Sequence, residues 1–288
     1  MIGRSLKKLK DTFAVANRAA TDIARIQQVV LQRELDRLRS RPNCVDPKRL
    51  TPFGSKVYCQ CDEDGIISEI FRRIGTTNKC FVEFGIGDGL ENNTRALLFD
   101  GWHGLWIDAS SCSIANIRSS SASLISSGKL RVVESFITAE NISRLIRDNI
   151  EHKEIDFLCV DIDGNDYHVL NAIDCVSARV IAIEYNAKFP PHLNYCMKYN
   201  PTHCWGADDN FGASLKFLEV HLRSKNYSLV GCSLTGANAF FVRSDLVADR
   251  FLEPYTAENH YEPARHYLAS VDSGHTSSFA TLVNSVCE

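Results

Sequence analysis

Two runs of this sequence place acids where a chain could do chemistry. The first is Val82-Glu83-Phe84-Gly85-Ile86-Gly87-Asp88-Gly89, an apolar stretch that delivers an acid and then three glycines at alternate positions. Glycines let a backbone turn sharply and come close to a ligand, because no Cβ intervenes. A dinucleotide site would instead carry Gly-x-Gly-x-x-Gly opening into a helix whose N-terminus holds a pyrophosphate. Here the third glycine comes one residue early, and Glu83 and Asp88 put negative charge where a diphosphate would sit. Such charge suits a ligand that bears an ammonium and a sulfonium. Further on, Asp108 ends a second apolar stretch, where a carboxylate accepts both hydroxyls of a ribose. Together these features point to S-adenosylmethionine and away from a dinucleotide oxidoreductase.

The second run is Asp161-Ile162-Asp163-Gly164-Asn165-Asp166-Tyr167, with Glu184-Tyr185-Asn186 further along. Ligands of open α/β sheets collect outside the carboxyl ends of the strands, and both segments follow apolar runs. Two readings of the cluster stay open. In one, Asp161 or Asp163 touches the methionine amine of the cofactor and a carboxylate such as Glu184, or a histidine, acts as general base. In the other, Asp163, Glu184 and Asn186 hold Mg2+ through oxygen, an arrangement that resembles the catechol-type methyltransferases; the ion would lower the pKa of a substrate hydroxyl. Asn165 and Asp166 could also simply cap the helix that follows. His192 and His203 lie in a segment, about 188–210, rich in Pro, Tyr and His, which reads as a lid over an acceptor pocket. His192 is taken as the candidate base, although a loop histidine is more often a packing residue. Tyr195, Tyr199 and Trp205 would suit stacking on a sugar ring or plain packing.

The elements that must position these residues alternate in the manner of a doubly wound fold. Strands are expected at Cys80–Phe84, Gly104–Asp108, Leu130–Phe136, Phe157–Ile162 and Val180–Tyr185. Helices are expected around Asn93–Asp100, Ser113–Ser126, Ala139–Asn149, Tyr167–Ala172 and Ala213–Lys225. Apolar runs Tyr227–Leu234 and Asn238–Val242 are too close for a parallel crossover and read as an antiparallel hairpin. The fold class is therefore α/β: a Rossmann-like, seven-stranded, mostly parallel sheet with a C-terminal antiparallel hairpin. A helix from Ile66 to Ile74, stopped by Gly75, should cover the first strand.

At 288 residues, 44% of them hydrophobic, the chain can bury a full core. Residues 1–41 hold ten Lys/Arg against four acids, a net +6, while the chain as a whole is −3. Leu6, Leu9, Phe13, Ala16, Ala20, Ile23, Ile26 and Val30 step by three and four, so this arm is a long basic amphipathic helix. Packing on the domain, dimerisation, or attachment to an anionic membrane surface would each use it. Residues 42–55 read as a linker and 56–288 as the main domain. The catalytic region carries no basic, aromatic-interleaved face, so nucleic acid is not expected as a partner. Eleven scattered cysteines, with Cys59 and Cys61 the one close pair, read as free thiols in a cytoplasmic protein. No stretch has the length of apolar sequence that a membrane span needs.

Val82–Asp88, Asn92-Asn93-Thr94 and Gly101-Trp102-His103-Gly104 resemble the first motifs of the FkbM-like methyltransferases. The likeness extends over about 56–245, taking in Tyr58–Gly65, Asp161–Tyr167 and Gly236–Val242. It implies an S-adenosylmethionine-dependent methyltransferase acting on a hydroxyl of a sugar, glycan or related small molecule. It also implies that Glu83, Gly85, Gly87, Asn93 and Asp108 surround the cofactor, with Gln60 near its methionine end and Phe136 beside the adenine. A cofactor-binding module without turnover is the alternative; the retained Asp161, Asp163 and Glu184 weigh against it.

Overall fold

The computed structural model describes residues 2–286, with side chains described from 10 to 283. The helix α1 runs over Ile2–Arg39. The side chains of Leu6 and Leu9, counted above in its apolar stripe, lie outside the described residues. Phe13, Ile23, Ile26 and Val30 on the same stripe are each more than half exposed. Contact with the rest of the chain begins at its C-terminal third, where Leu31, Leu35 and Leu38 form a small core with Cys61, Leu234, Leu268 and Val271. Residues 42–55 also lie against the domain, with Cys44 and Leu50 buried.

After α2 (Glu63–Ile74) come β1 (Cys80–Phe84), β2 (His103–Asp108), α3 (Ser111–Ser120), α4 (Ala122–Ser126) and β3 (Leu130–Glu134). Then follow α5 (Ile142–Arg147), β4 (Glu154–Val160), α6 (Asp166–Ala172), β5 (Ser177–Glu184), α7 (Leu215–Ser224), β6 (Tyr227–Cys232) and β7 (Asn238–Arg243). Short helices α8 (Ser244–Val247) and α9 (Ala257–His260) and the terminal α10 (Phe279–Val286) complete the chain. The strands form one seven-stranded sheet in the order β3-β2-β1-β4-β5-β7-β6. All neighbours are parallel except those of β7, which runs antiparallel to both β5 and β6.

Strand alternation divides the core between two faces. Val82, Phe84, Leu105, Ile107, Leu158 and Val160 pack with Ile142 and Ile146 of α5 and Leu215, Leu218 and Leu222 of α7. Phe81, Trp106, Phe157, Cys159 and Val180 pack on the other face with Ile66, Ile67, Ile70 and Phe71 of α2 and Ile114 and Ile117 of α3. Because both faces are covered, the central strands read as continuous apolar runs rather than alternating ones.

Two expectations are corrected. No α-helix follows the glycine turn: only a 3-10 turn, Ala96–Asp100, forms there. The segment ahead of it is drawn inward, because Asn92, Asn93 and Thr94 donate to the Glu83 carboxylate. The expected Ser113–Ser126 helix is broken at Ser121, the C-cap of α3 and N-cap of α4.

At the N-terminal edge of the sheet Asp156 of β4 accepts from the backbone N–H groups of Thr77, Asn78 and Lys79 and, at 2.5 Å, from Arg179 of β5. Burial alone pushes this carboxyl up, but the Arg179 guanidinium and those N–H groups hold it below its ordinary value. Arg179→Ala would leave a buried carboxylate without its cation, a loss of about 3–5 kcal/mol, readable as a lower urea midpoint. The folded pKa being depressed, this stabilisation is present above the unfolded carboxylate value and disappears as pH falls through the folded one.

Candidate functional site

The strand ends nearest the glycine turn are held by backbone geometry. Gly85 follows β1 at φ +76°, and an ideal Cβ there would lie 1.5 Å from the carbonyl oxygen of Asp161. The ends of β1 and β4 therefore touch only because residue 85 has no side chain. Gly87, at φ +55°, donates its N–H to Asp108 Oδ2 at 2.9 Å, and Asp108 Oδ1 accepts from Ser110 N. Glu83 is buried, and burial holds its pKa above the ordinary value, only partly offset by bonds from Thr94 and Asn93. It accepts from Asn93 N and Asn92 Nδ2, both at 2.8 Å, from Thr94 N at 3.1 Å, and from the Thr94 hydroxyl. Its carboxylate is thus engaged in fixing the loop 92–94. Asp88 is exposed, bonds the N–H of Leu90 and does not line the cavity described next.

A cavity of about 620 Å³ opens over these strand ends. Its walls bring together Gln60, Glu83, Gly85, Gly87, Asn93, Asp108, Phe136, Asp161, Asp163 and Glu184. Among the described residues six of those lining it are acids, Glu91 being the sixth beside Glu83, Asp108, Asp161, Asp163 and Glu184, and none is Lys or Arg.

Asp161 and Glu184 of the wall and the buried Asp166 each place a carboxylate oxygen within 4.8 Å of the others. Asp166 is fixed by the N–H groups of Ile162 and Gly164, both at 2.8 Å. Burial, only partly offset by those N–H groups, pushes it up to about 6. Asp161 is held well above its ordinary value by burial and then by the charges of Asp166 and Asp163, and Glu184 by burial and then by Asp161. Glu184 Oε2 is buried without a hydrogen-bond partner among the described residues.

The oxygen set Asp163, Glu184 and Asn186 is not assembled. The Asn186 amide is buried and engaged: Nδ2 donates to the carbonyls of Asp209 and Phe211, and Oδ1 accepts from Lys188 N. It fastens the far end of the 188–210 insertion and does not line the cavity. His192 is exposed and outside the cavity, whereas His203 lines it, packed so closely on Gly164 that a Cβ there would meet its ring at 2.3 Å. His203 Nε2 is buried and unpartnered. Of the insertion's aromatics, Trp205 reaches the cavity. Tyr199 instead donates to Glu140 at 2.5 Å, and Tyr195 packs on Phe189 with ring centroids 4.5 Å apart.

Asp166, which the sequence leaves open between the acid cluster and a helix cap, joins the cluster while accepting from the N–H groups of Ile162 and Gly164. Sequence reasoning missed Asn238, from the hairpin, and His266, from the C-terminal segment, which also line the cavity. Neither sits in a motif, and only the folding of distant segments brings them there.

The profile of the methyltransferase FkbM domain matches residues 69–231, more than half of the chain. A search of the curated proteins returns no significant match. Among solved structures, a protein from Staphylococcus aureus provisionally described as a caffeoyl-CoA O-methyltransferase is 13% identical, with TM-score 0.41, over 62% of this chain and 81% of that one. A SAM-dependent methyltransferase from Geobacter sulfurreducens, in complex with S-adenosyl-L-homocysteine, is 13% identical with TM-score 0.36, over 61% and 68%. TrmK from M. capricolum, in complex with the cofactor product S-adenosyl-homocysteine, is 12% identical with TM-score 0.37, over 61% and 65%. Likenesses at this level say nothing of substrate.

Proposed function

Since the chain belongs to the FkbM family of S-adenosylmethionine-dependent methyltransferases, we propose that it methylates a hydroxyl oxygen on a sugar, glycan or related small molecule. The observation that carries this reading is the cavity that has, among the described residues, six acids and no lysine or arginine in its wall, where Glu184 Oε2 is buried with no partner among those residues. The charge favours a cofactor with an ammonium and a sulfonium and disfavours a phosphorylated or nucleic-acid acceptor.

In this reading Gly85 and Gly87 give the cofactor its close approach, Asp108 binds the ribose hydroxyls, and Phe136 flanks the adenine. Asn93 and Gln60 border the methionine portion, and Asp161 takes its ammonium. Glu83 acts indirectly, by holding Asn93 in place. Bound there, S-adenosylmethionine would supply the methyl group to the acceptor oxygen and leave as the neutral thioether, and Glu184 would take the hydroxyl proton. The electrophile is already activated, so the protein's part is alignment and removal of one proton.

Residues 56–288 carry the catalytic residues in this proposal, the inner third of the helix at 1–41 braces them, and its exposed outer part serves self-association or attachment to an anionic surface. Among the described residues no helix is long and apolar enough to cross a membrane. The test is thermal-shift binding of S-adenosylhomocysteine against NADH, followed by transfer of isotopic methyl from S-adenosylmethionine to a panel of neutral glycans and hydroxylated small molecules. Stabilisation by S-adenosylhomocysteine alone and labelled ether products are expected. Binding without transfer across the panel would instead favour the non-catalytic module.

A further inference from the structure

At the opposite end of the sheet from the acid-lined cavity, three side chains with metal-donor atoms converge. Cys80 opens β1 and His103 opens β2, and the parallel register pairs them directly, as it pairs Val82 with Leu105 on the same face. His152, in the turn before β4, closes over both. Cys80 Sγ and a ring nitrogen of each histidine all lie within 4.8 Å of one another. A cavity of about 150 Å³ marks the spot, lined also by Arg131, Asn149 and Glu151. Cys80 is buried, His103 half-buried and His152 exposed, so the trio has a floor, a wall and a mouth. Nothing in methyl transfer calls for this grouping.

We propose that Cys80, His103 and His152 form a binding site for a Zn2+-type divalent cation, with water or Glu151 as the fourth ligand. One thiolate and two imidazoles are the donors of zinc and its soft-to-borderline neighbours, not of Mg2+ or Ca2+. Tetrahedral zinc with such bond lengths sets its ligand atoms about 3.5 Å apart, so atoms within 4.8 Å of one another reach that geometry by closing at most about 1.3 Å. The exposed His152 is free to make that movement, while the two strand residues hold their places.

The proton balance follows from the surroundings. Burial, and then Asp156, pushes the Cys80 thiol up to about 12, with Arg131 acting in the opposite sense. The ion must therefore displace the Sγ proton to solvent as the metal–sulfur bond forms, and affinity rises with pH. His103 is held below its ordinary value by burial and by His152 beside it, so it offers a neutral nitrogen. Arg131 opposes a cation, but it donates to the Asn149 carbonyl and lies 3.6 Å from the Glu151 carboxylate, which offsets its charge. A bound ion would tie the starts of β1 and β2 to the turn between α5 and β4.

The test uses the full chain, stripped of metal, with the exposed Cys112 and Cys204 changed to Ser. Titration with Co2+ should give a thiolate-to-metal charge-transfer band that saturates at one equivalent, is displaced by Zn2+, and is absent in Cys80→Ser. His152→Ala should weaken Co2+ binding by more than the roughly 10–100-fold that loss of an outer-shell partner costs, with far-UV circular dichroism unchanged. The proposal fails if no such band saturates near one equivalent. It fails equally if His152→Ala leaves the titration unaltered, a result that does not depend on Cys80→Ser folding.

Discussion

Glu184→Gln is expected to lower methyl transfer by roughly 10²–10⁴-fold, the contribution of a positioned base, while leaving S-adenosylhomocysteine affinity unchanged. The substitution keeps shape and volume but removes the acceptor for the hydroxyl proton. Burial and the neighbouring charges of Asp161 and Asp166 hold the Glu184 carboxyl well above its usual range, so its proton affinity is better matched to a hydroxyl than an exposed carboxylate's would be. Turnover in the wild type should then rise with pH as the cluster loses protons, with Asp166, up to about 6, marking the lower part of that rise. Asp166→Asn removes one negative neighbour and should move the ascending limb to lower pH. The stability of the fold runs the other way. Because these folded pKa values are raised, stability is greatest below the unfolded carboxylate value and is lost as pH climbs through the folded ones. Label transfer by Glu184→Gln at wild-type rate would remove Glu184 from the mechanism and turn attention to His203 Nε2.

Gly85→Ala is expected to abolish detectable binding of S-adenosylhomocysteine in calorimetry, whereas Gly87→Ala should only weaken it. Both residues have positive φ, which costs an L-residue about 1–2 kcal/mol. They differ in what surrounds them. A Cβ on Gly85 would lie 1.5 Å from the Asp161 carbonyl, a backbone atom that cannot step aside without parting β1 from β4. A Cβ on Gly87 meets nothing within 4 Å. The comparison isolates steric closure of the strand ends from backbone strain. Equal losses in the two variants would show that strain alone matters there.

Most of the sheet was legible because its strands are covered on both faces and so appear as unbroken apolar runs separated by turn residues. The hairpin was legible for a different reason: the gap between Leu234 and Asn238 allows no crossover. What escaped were competitions for hydrogen bonds. The segment from Asn93 has an acceptable helical pattern, but Glu83 draws in the backbone of Asn93 and Thr94, and only a 3-10 turn remains. Asn186 lies two residues after Glu184 in sequence, yet its Nδ2 is drawn to the carbonyls of Asp209 and Phe211, away from the cavity, which no spacing rule reveals. The choice between His192 and His203 depended on the path of an aperiodic insertion, and that path brings His203 onto Gly164.

The last turns of α1 bear on where this enzyme begins. Gln28 bonds to Ser270 and Asp272, Leu31, Leu35 and Leu38 cover Leu268 and Val271, and Arg41 reaches Glu262 at 2.6 Å. The same C-terminal stretch carries His266 into the cavity wall. A fragment that starts after residue 41 would bare that apolar patch and release the wall from behind, so its loss of activity would say nothing about the outer part of the helix. The informative truncation stops short of Gln28, sparing the inner third and removing only the exposed basic arm.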